Sequence, residues 1–452
     1  MMDSEGLRMV MIGRSCLGNS YTGKSSTKRI LLKFFGFKFN NKKTIISFMR
    51  KNDLHPRLQQ TCRAIPDRSG CFAVVPEPVP TSVSVPGCSA LFVLARRELE
   101  TLKAMIEANP EMASLVFHML NRREAVDSSQ IEGTHTGFDD LLIHELGAGA
   151  SSMIEDGDAE ETLSYVRAFM HGINELTARG QAALDNRLIS HIHAIIMSGQ
   201  ARATPGILRD RQNFIGSRLE TAHYIPPPAD LVPSLMDDLV SLLQYEPEGV
   251  KEVSVLMRAP IAHVQFEAIH PFLDGNGRTG RLLLPLMLHA AGKPPIHLAT
   301  FLKVRQQDYY AALLSVQMKL DWEPWIKLFL ECTIASARHT VQLFGHLRSI
   351  QAGWHAQLVA QKRRKHATIW KVVDLLIGQP IVTANEVSKR LAVSFPAAND
   401  AIDDLVELDI LRPNNTDKRN RVFQSHEVLN ALYTGLDAVL DEAGAAANLS
   451  GF

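Results

Sequence analysis

His270-Pro271-Phe272-Leu273-Asp274-Gly275-Asn276-Gly277-Arg278-Thr279-Gly280-Arg281 gathers an imidazole, a carboxylate, a Gly-Asn-Gly core and two guanidiniums within twelve positions. An apolar run from Leu282 to Leu288 follows at once, the order of a glycine-rich turn opening a buried helix. Gly275 and Gly277, flanking Asn276, let backbone N–H groups approach an anion, and a helix N-terminus adds a positive dipole. Arg278 and Arg281, three apart, are expected on nearly one face beside that anion, where their planar forks suit phosphate oxygens. An aspartate in a phosphate nest is unfavourable unless a cation lies between. Mg2+ on a di- or triphosphate is the natural one, beside Asp274. His270 titrates near neutral pH, so it can take a proton from an attacking hydroxyl. The pattern predicts nucleotide phosphoryl chemistry; spacing alone leaves open which phosphorus is attacked.

The same stretch resembles, at every specified position, the Fic signature His-Pro-Phe-x-Asp/Glu-Gly-Asn-Gly-Arg-x-x-Arg. The resemblance implies an all-helical enzyme that transfers AMP from ATP to a Ser, Thr or Tyr hydroxyl of a target protein. It implies His270 as base and Asp274 as the Mg2+ ligand. Gly275, Asn276 and Gly277 become the anion hole for the α- and β-phosphates. Arg278 and Arg281 become phosphate-side arginines, the second nearest the γ-phosphate. The Gly-Asn-Gly core is kept, which favours nucleotidyl transfer over phosphorylation.

Upstream, Ser128-Ser129-Gln130-Ile131-Glu132-Gly133 fits Ser/Thr-x-x-x-Glu-Gly/Asn, the motif of Fic proteins that inhibit themselves. Ser128, Glu132 and Gly133 carry that resemblance. It implies that Glu132 pairs with Arg281 and removes the cation that should hold the γ-phosphate; a carboxylate–guanidinium pair is strong enough to compete. The same glutamate can orient water for the opposite reaction, release of AMP from a modified protein. A third element spans Gln212 to Ser217 and Ala222 to Pro228, two β-like runs about a polar turn, stopped by three prolines. It resembles the Fic flap. Phe214, Ile215, Gly216, His223 and Tyr224 are therefore expected to dock an extended target segment through backbone hydrogen bonds.

Positioning these residues falls to helices. Apolar spacing predicts helices over 91–109, 112–126, 160–178, 185–198, 230–245 and 253–268, the last leading straight to His270. His263 and the aromatics Tyr309, Tyr310, Trp322 and Trp325 are expected in packing. The expected class is mainly α: a Fic-type helical core with a small β-hairpin flap, plus a C-terminal winged-helix domain. The helical region is placed at 89–349, with the inhibitory helix at about 112–134 and the catalytic core at about 160–346. Residues 360–435 read as three helices and a hairpin, the winged-helix pattern, and 436–452 as a tail. Thr383 and Glu386 form a capping box there. Asp400, Asp403, Asp404 and Glu407 fill the helix that would read DNA, and phosphates repel them. The wing, with Lys418, Arg419 and Arg421, is basic. A protein-contact or homodimer role is preferred over DNA, with a nucleotide-sensing transcriptional regulator as the rival reading.

Formal net charge is +0 over 452 residues, which gives no general argument for nucleic-acid or membrane affinity. No apolar run is long enough to span a bilayer. Five cysteines without a C-x-x-C pair suit reduced thiols in the cytoplasm. The first 60 residues hold 12 Lys/Arg against 3 Asp/Glu. Residues 1–88 read as a poorly ordered basic arm and Pro-rich lead-in, with Met49 as an alternative start. Gly18 to Ser25 satisfies the P-loop pattern, but no strand leads into it and no α/β domain follows, so nucleotide binding is not expected there.

Overall fold

A computed structural model describes residues 50–66, 68–147, 156–200, 203–247, 252–364, 366–414 and 421–449. The P-loop-like stretch and the basic arm lie outside these residues. The lead-in begins with α1 (Pro56–Thr61) and a two-stranded antiparallel ribbon, β1 (Arg63–Ala64) and β2 (Phe72–Ala73). Contrary to the expectation of poor order, this part is packed. Leu54, Leu58 and Val74 are buried against Tyr224 and Ala268, and the Val74 N–H donates to the Ile225 carbonyl at 2.8 Å. The apolar side chains spaced through the lead-in are what cover the back of the flap.

The helical region runs α2 (Ser89–Ala108), α3 (Pro110–Ile131), α4 (Phe138–Glu145), α5 (Asp156–Arg179), α6 (Asn186–Ile196), α7 (Val232–Leu243), α8 (Val255–Ile269) and α9 (Asn276–Ala290). Pro110 ends α2 by lacking an N–H, yet starts α3 at the first-turn position where that N–H is not needed. In α8 every residue but Met257 is buried, so it shows no polar face and lies at the centre of the bundle. It packs along α9, buried from Arg278 to Leu288. Around this pair stand α5, α6 and α7, then α10 (Ala299–Val304), α11 (Gln306–Lys319) and α12 (Glu323–Ala360).

Helix α12 has 38 residues, about 57 Å at 1.5 Å per residue. It crosses the boundary expected near 349 without a break. Its first half packs on α2 and α8. In its second half Phe344, Leu347, Trp354 and Leu358 join a core with the C-terminal helices. Those are α13 (Thr368–Gly378), α14 (Ala384–Leu391) and α15 (Phe395–Glu407), with strands β3 (Ile381–Val382), β4 (Arg412–Pro413) and β5 (Phe423–Gln424) in antiparallel order β3-β5-β4. Strand β3 escaped the sequence reading because two residues carry no period. The Thr383 cap is present, its hydroxyl accepting the Glu386 N–H at 3.2 Å.

The segment read only as a tail holds a helix. After α16 (His426–Tyr433), α17 (Leu436–Leu449) lays Val439, Leu440 and Ala443 into the main core against α12 and α2. Helix α3 belongs to both cores. Val116, Met119 and Leu120 pack with the C-terminal helices, while Ala125 and Ile131 face the centre of the bundle. The fold is mainly α, with only small antiparallel sheets among the described residues.

Candidate active site

Helix α8 ends on His270, whose backbone is left-handed (φ 49°, ψ 61°). A non-glycine residue stays there only when its surroundings hold it. Here they do. The His270 N–H donates to the Phe266 carbonyl at 2.9 Å, and Arg209 Nε donates to the His270 carbonyl at 2.9 Å. Arg209 is buried and spends its other donors on the carbonyls of Arg211, Pro227 and Ile269; its own backbone N–H holds Pro271. Asn213 Nδ2 donates to the Phe272 carbonyl at 3.0 Å. Asn276 brackets the same residue, its Oδ1 accepting the Phe272 N–H and its Nδ2 donating to the Phe272 carbonyl, both at 2.9 Å. The Asn276 side chain is thus a brace of the turn, and only its backbone N–H is left to the anion hole.

Beneath the turn lies His193 of α6. Its ring stacks on Phe272 at 3.7 Å with 3° between planes. Nδ1 accepts the Gly206 N–H at 2.8 Å, which leaves Nε2 to donate to the Asp274 carbonyl at 2.9 Å. Burial pushes this imidazole down to about 4, so it stays neutral in that tautomer. Gly275 then opens α9 at φ 77°, and a Cβ there would strike Met197. Both the backbone and the space demand glycine. The first N–H groups of α9 have no partner within the helix and point at the space before it.

Glu132 reaches into that space. It caps α3, and Gly133 turns the chain away at φ 96°. A Cβ on Gly277 would fall on the Glu132 carboxylate. Arg281, 2% exposed, donates from Nη2 to Glu132 Oε1 at 2.8 Å and from Nε to Ser128 Oγ at 2.9 Å; Nη2 also donates to the Ser128 carbonyl at 2.9 Å. Burial works against the Arg281 charge, but Glu132, Tyr309, Tyr310 and Glu267 together outweigh it and hold the guanidinium above its ordinary value. Burial pushes the His270 imidazole down to about 4, Arg209 adds to the effect, and Glu132 opposes it. The base is neutral at pH 7. Burial raises the Asp274 carboxyl and Arg278 opposes the rise.

His270, Asp274, Gly275, Gly277, Arg281, Ser128 and Glu132 therefore converge. The two guanidiniums, expected on nearly one face, turn apart in this structure. Arg278 turns to Glu161 of α5 and to Met197 Sδ, while Arg281 faces α3. Each buried guanidinium has taken its own carboxylate, since leaving either charge unpaired would be costly. The flap is a hairpin with a bridge at Ile215–Tyr224, closed by Gly216 at φ 145°. His223 is exposed and Phe214 half-buried, but Tyr224 points inward, its hydroxyl donating to the Ala268 carbonyl at 3.2 Å. Tyr224 anchors the flap instead of offering a docking side chain. His263, as expected, is core, bonded through Nε2 to the Tyr309 hydroxyl at 2.8 Å. Sequence reading missed His193, Arg209 and Glu161, which lie 61 to 109 residues before His270 and carry no spacing that ties them to it.

Residues 183–288 match the model of the Fic/DOC family, and residues 90–174 match that of the Fic/DOC family N-terminal region. The chain carries a Fic domain. Relatives from Drosophila erecta and Drosophila grimshawi, both named protein adenylyltransferase Fic, are 29% identical over 171 residues, 38% of this chain and 30% and 31% of theirs. This chain thus spans about a third of the length of those relatives. Among solved structures, a Fic family protein from Desulfovibrio desulfuricans G20 aligns with 20% identity and a TM-score of 0.46, over 76% of this chain and 98% of that one. The Fic match spans the turn, α9 and the flap, and the N-terminal match spans α3 with Glu132.

Proposed function

We propose that this Fic-domain protein transfers AMP from ATP to a Ser, Thr or Tyr hydroxyl of a target protein, and that Glu132 restrains the reaction. The observation that carries the reading is a neutral, backbone-locked His270 immediately before the open N-terminus of α9. The hydroxyl oxygen attacks the α-phosphorus and its proton passes to His270. The bond from the α-phosphorus to the bridging oxygen breaks, and pyrophosphate leaves with the electron pair. The N–H groups of α9 and the Arg281 charge stabilise the growing negative charge. Asp274 is the residue that would hold Mg2+, which when bound neutralises phosphate charge. A single carboxylate fits, because Mg2+ keeps waters and takes its remaining ligands from phosphates. Among the described residues no group of three or more His, Cys, Asp or Glu gathers, consistent with a metal that arrives on the nucleotide.

With Glu132 on Arg281 the γ-phosphate loses its cation, and the carboxylate over Gly277 repels the polyphosphate. Self-labelling with ATP labelled at the α-phosphate tests this. Label is expected in Glu132→Gly and absent from Glu132→Gly/His270→Ala; no label in either would overturn it. One observation favours a second reading, removal of AMP. Glu132 is 30% exposed at the anion site, where it can orient water. AMP release from a pre-modified target, lost in Glu132→Gly, is its signature.

The C-terminal unit we read as a winged helix that contacts protein. Arg421 of the wing donates to Asn399 and Asp403 of α15 at 2.9 and 3.3 Å, and Arg363 pairs with Asp404. Arg421 and Arg363 are engaged by the acids that repel DNA, and Lys418 and Arg419 lie outside the described residues. An operator-specific, salt-dependent gel shift would contradict this. The four described cysteines, Cys62, Cys71, Cys88 and Cys332, are free, which fits the expected cytoplasmic setting. No described helix is long and apolar enough to cross a membrane.

A further inference from the structure

Arg278 stands in the first turn of α9, four residues after Asp274, yet its ion pair is made with another helix. The residue is 3% exposed. Nη1 donates to Glu161 Oε1 of α5, and Nη2 donates to Met197 Sδ at 3.2 Å. Glu161 is fixed in turn, its Oε2 accepting from Gln200 Nε2 at 2.7 Å. Met197 lies against the turn, since a Cβ on Gly275 would meet its Sδ at 2.5 Å and His193 Nε2 at 3.3 Å. The Arg278 guanidinium is therefore held beneath the turn, on the side where His193 braces the Asp274 carbonyl.

One buried cation thus serves two acids. Arg278 acts on both Glu161 and Asp274, and Asp274 repels Glu161. Burial raises both carboxyls, and Arg278 opposes the rise at each. The direct ion pair, however, is to Glu161. Among the described residues Asp274 makes no ion pair; its Oδ1 accepts the Gly275 N–H at 2.6 Å. Arg278 Nε is buried without a partner, so the guanidinium keeps a donor that a second carboxylate can take. A buried guanidinium left without a carboxylate in contact is costly. Once Glu161 is lost, Asp274 is the neighbouring acid to which Arg278 turns. That pairing would occupy the carboxylate that a nucleotide-borne Mg2+ needs.

We propose that Glu161 is a positioning residue: by holding Arg278 beneath the turn, it keeps the Asp274 carboxylate free for Mg2+. This rests on the metal role proposed above for Asp274. Loss of Glu161 then weakens the metal contact through Arg278. Loss of both side chains restores it, because no guanidinium remains to cover Asp274. A merely structural pair behaves in the opposite way, the double variant being no better than the single one.

The experiment uses the full chain in a Glu132→Gly/His270→Ala background, which is expected to bind ATP without transferring AMP. ATP affinity is measured by calorimetry with saturating Mg2+ and again with EDTA, and the ratio of the two reads the metal contact. Glu161→Gln is expected to lower that ratio by about tenfold, with the affinity in EDTA not reduced. Glu161→Gln/Arg278→Met is expected to restore the ratio. An unchanged ratio in Glu161→Gln, or a double variant as impaired as the single one, would overturn the proposal. Asp274→Asn separates the two readings. If it leaves the ratio unmoved, the metal role of Asp274 fails and the proposal falls with it. A loss in Asp274→Asn without one in Glu161→Gln sinks the proposal alone. Should Glu161→Gln not fold, Glu161→Ala, which leaves no amide to bury, is read the same way.

Discussion

The two sides of the anion site are held in different ways. On one side, the turn from Ile269 to Asn276 is fixed by side chains from three separate stretches: His193 of α6, Arg209 and Asn213 before and within the flap, and Asn276 itself. Every one of these hydrogen bonds lands on backbone, so the geometry survives whatever the reacting side chains do. On the other side, the Glu132 carboxylate is held by its ion pair to Arg281, while the chain just before it is tied by Gln306 Nε2, which donates to the Ile131 carbonyl at 3.0 Å. A catalytic turn must be over-determined to keep a left-handed histidine. The restraint proposed for Glu132 requires a contact that a ligand can compete for.

The sharpest way to break this contrast is to remove the base. In a Glu132→Gly background, His270→Ala should lower AMP transfer by about 10²-fold or more, measured as incorporated label, with ATP binding kept. Removing the brake comes next. Glu132→Gly should raise transfer by about tenfold to a hundredfold, as expected for loss of a contact of about 1.5–3 kcal/mol; equal rates would mean that the ion pair restrains nothing. Arg209→Met tests the scaffold. Four backbone carbonyls lose their donor, and a cost of about 2–4 kcal/mol should appear as a lower melting temperature together with a lower kcat. If only KM moved, the turn would not depend on Arg209.

The pH dependence sharpens the same comparison. The His270 pKa is pushed below its ordinary value, to about 4, and in the proposed reaction the unprotonated ring is the base. Transfer by Glu132→Gly should therefore not titrate through this group between pH 6 and 8, and should be lost as pH falls toward 4. A midpoint near 6.5 would mean that the site opens to water once the brake leaves. The smallest effect belongs far away. Arg421→Ala, at a half-exposed pair with Asp403, should cost less than about 1 kcal/mol in thermal unfolding and leave transfer unchanged.

The departures from sequence expectation share one cause. The lead-in reads as poorly ordered and the tail carries no assigned element because their elements are short or weakly periodic. Leu54, Leu58 and Val74 find partners only on the flap and α8, and Leu440 only on the main core. Arg278 and Arg281 were placed on one face by helical geometry, which is correct for their Cα atoms. Their guanidiniums part because Glu161 and Glu132 approach from opposite sides.

What the chain determined by itself is what can be written in a contiguous stretch. The Gly-Asn-Gly turn, the imidazole before it, the arginines after it and the glutamate motif upstream each follow from local backbone demands and side-chain chemistry. What the tertiary structure decided is which carboxylate meets which cation, and which histidine braces and which reacts. Those outcomes depend on burial, which strips water from a charge and makes its nearest neighbour decisive, and burial is set by helices that are distant in sequence.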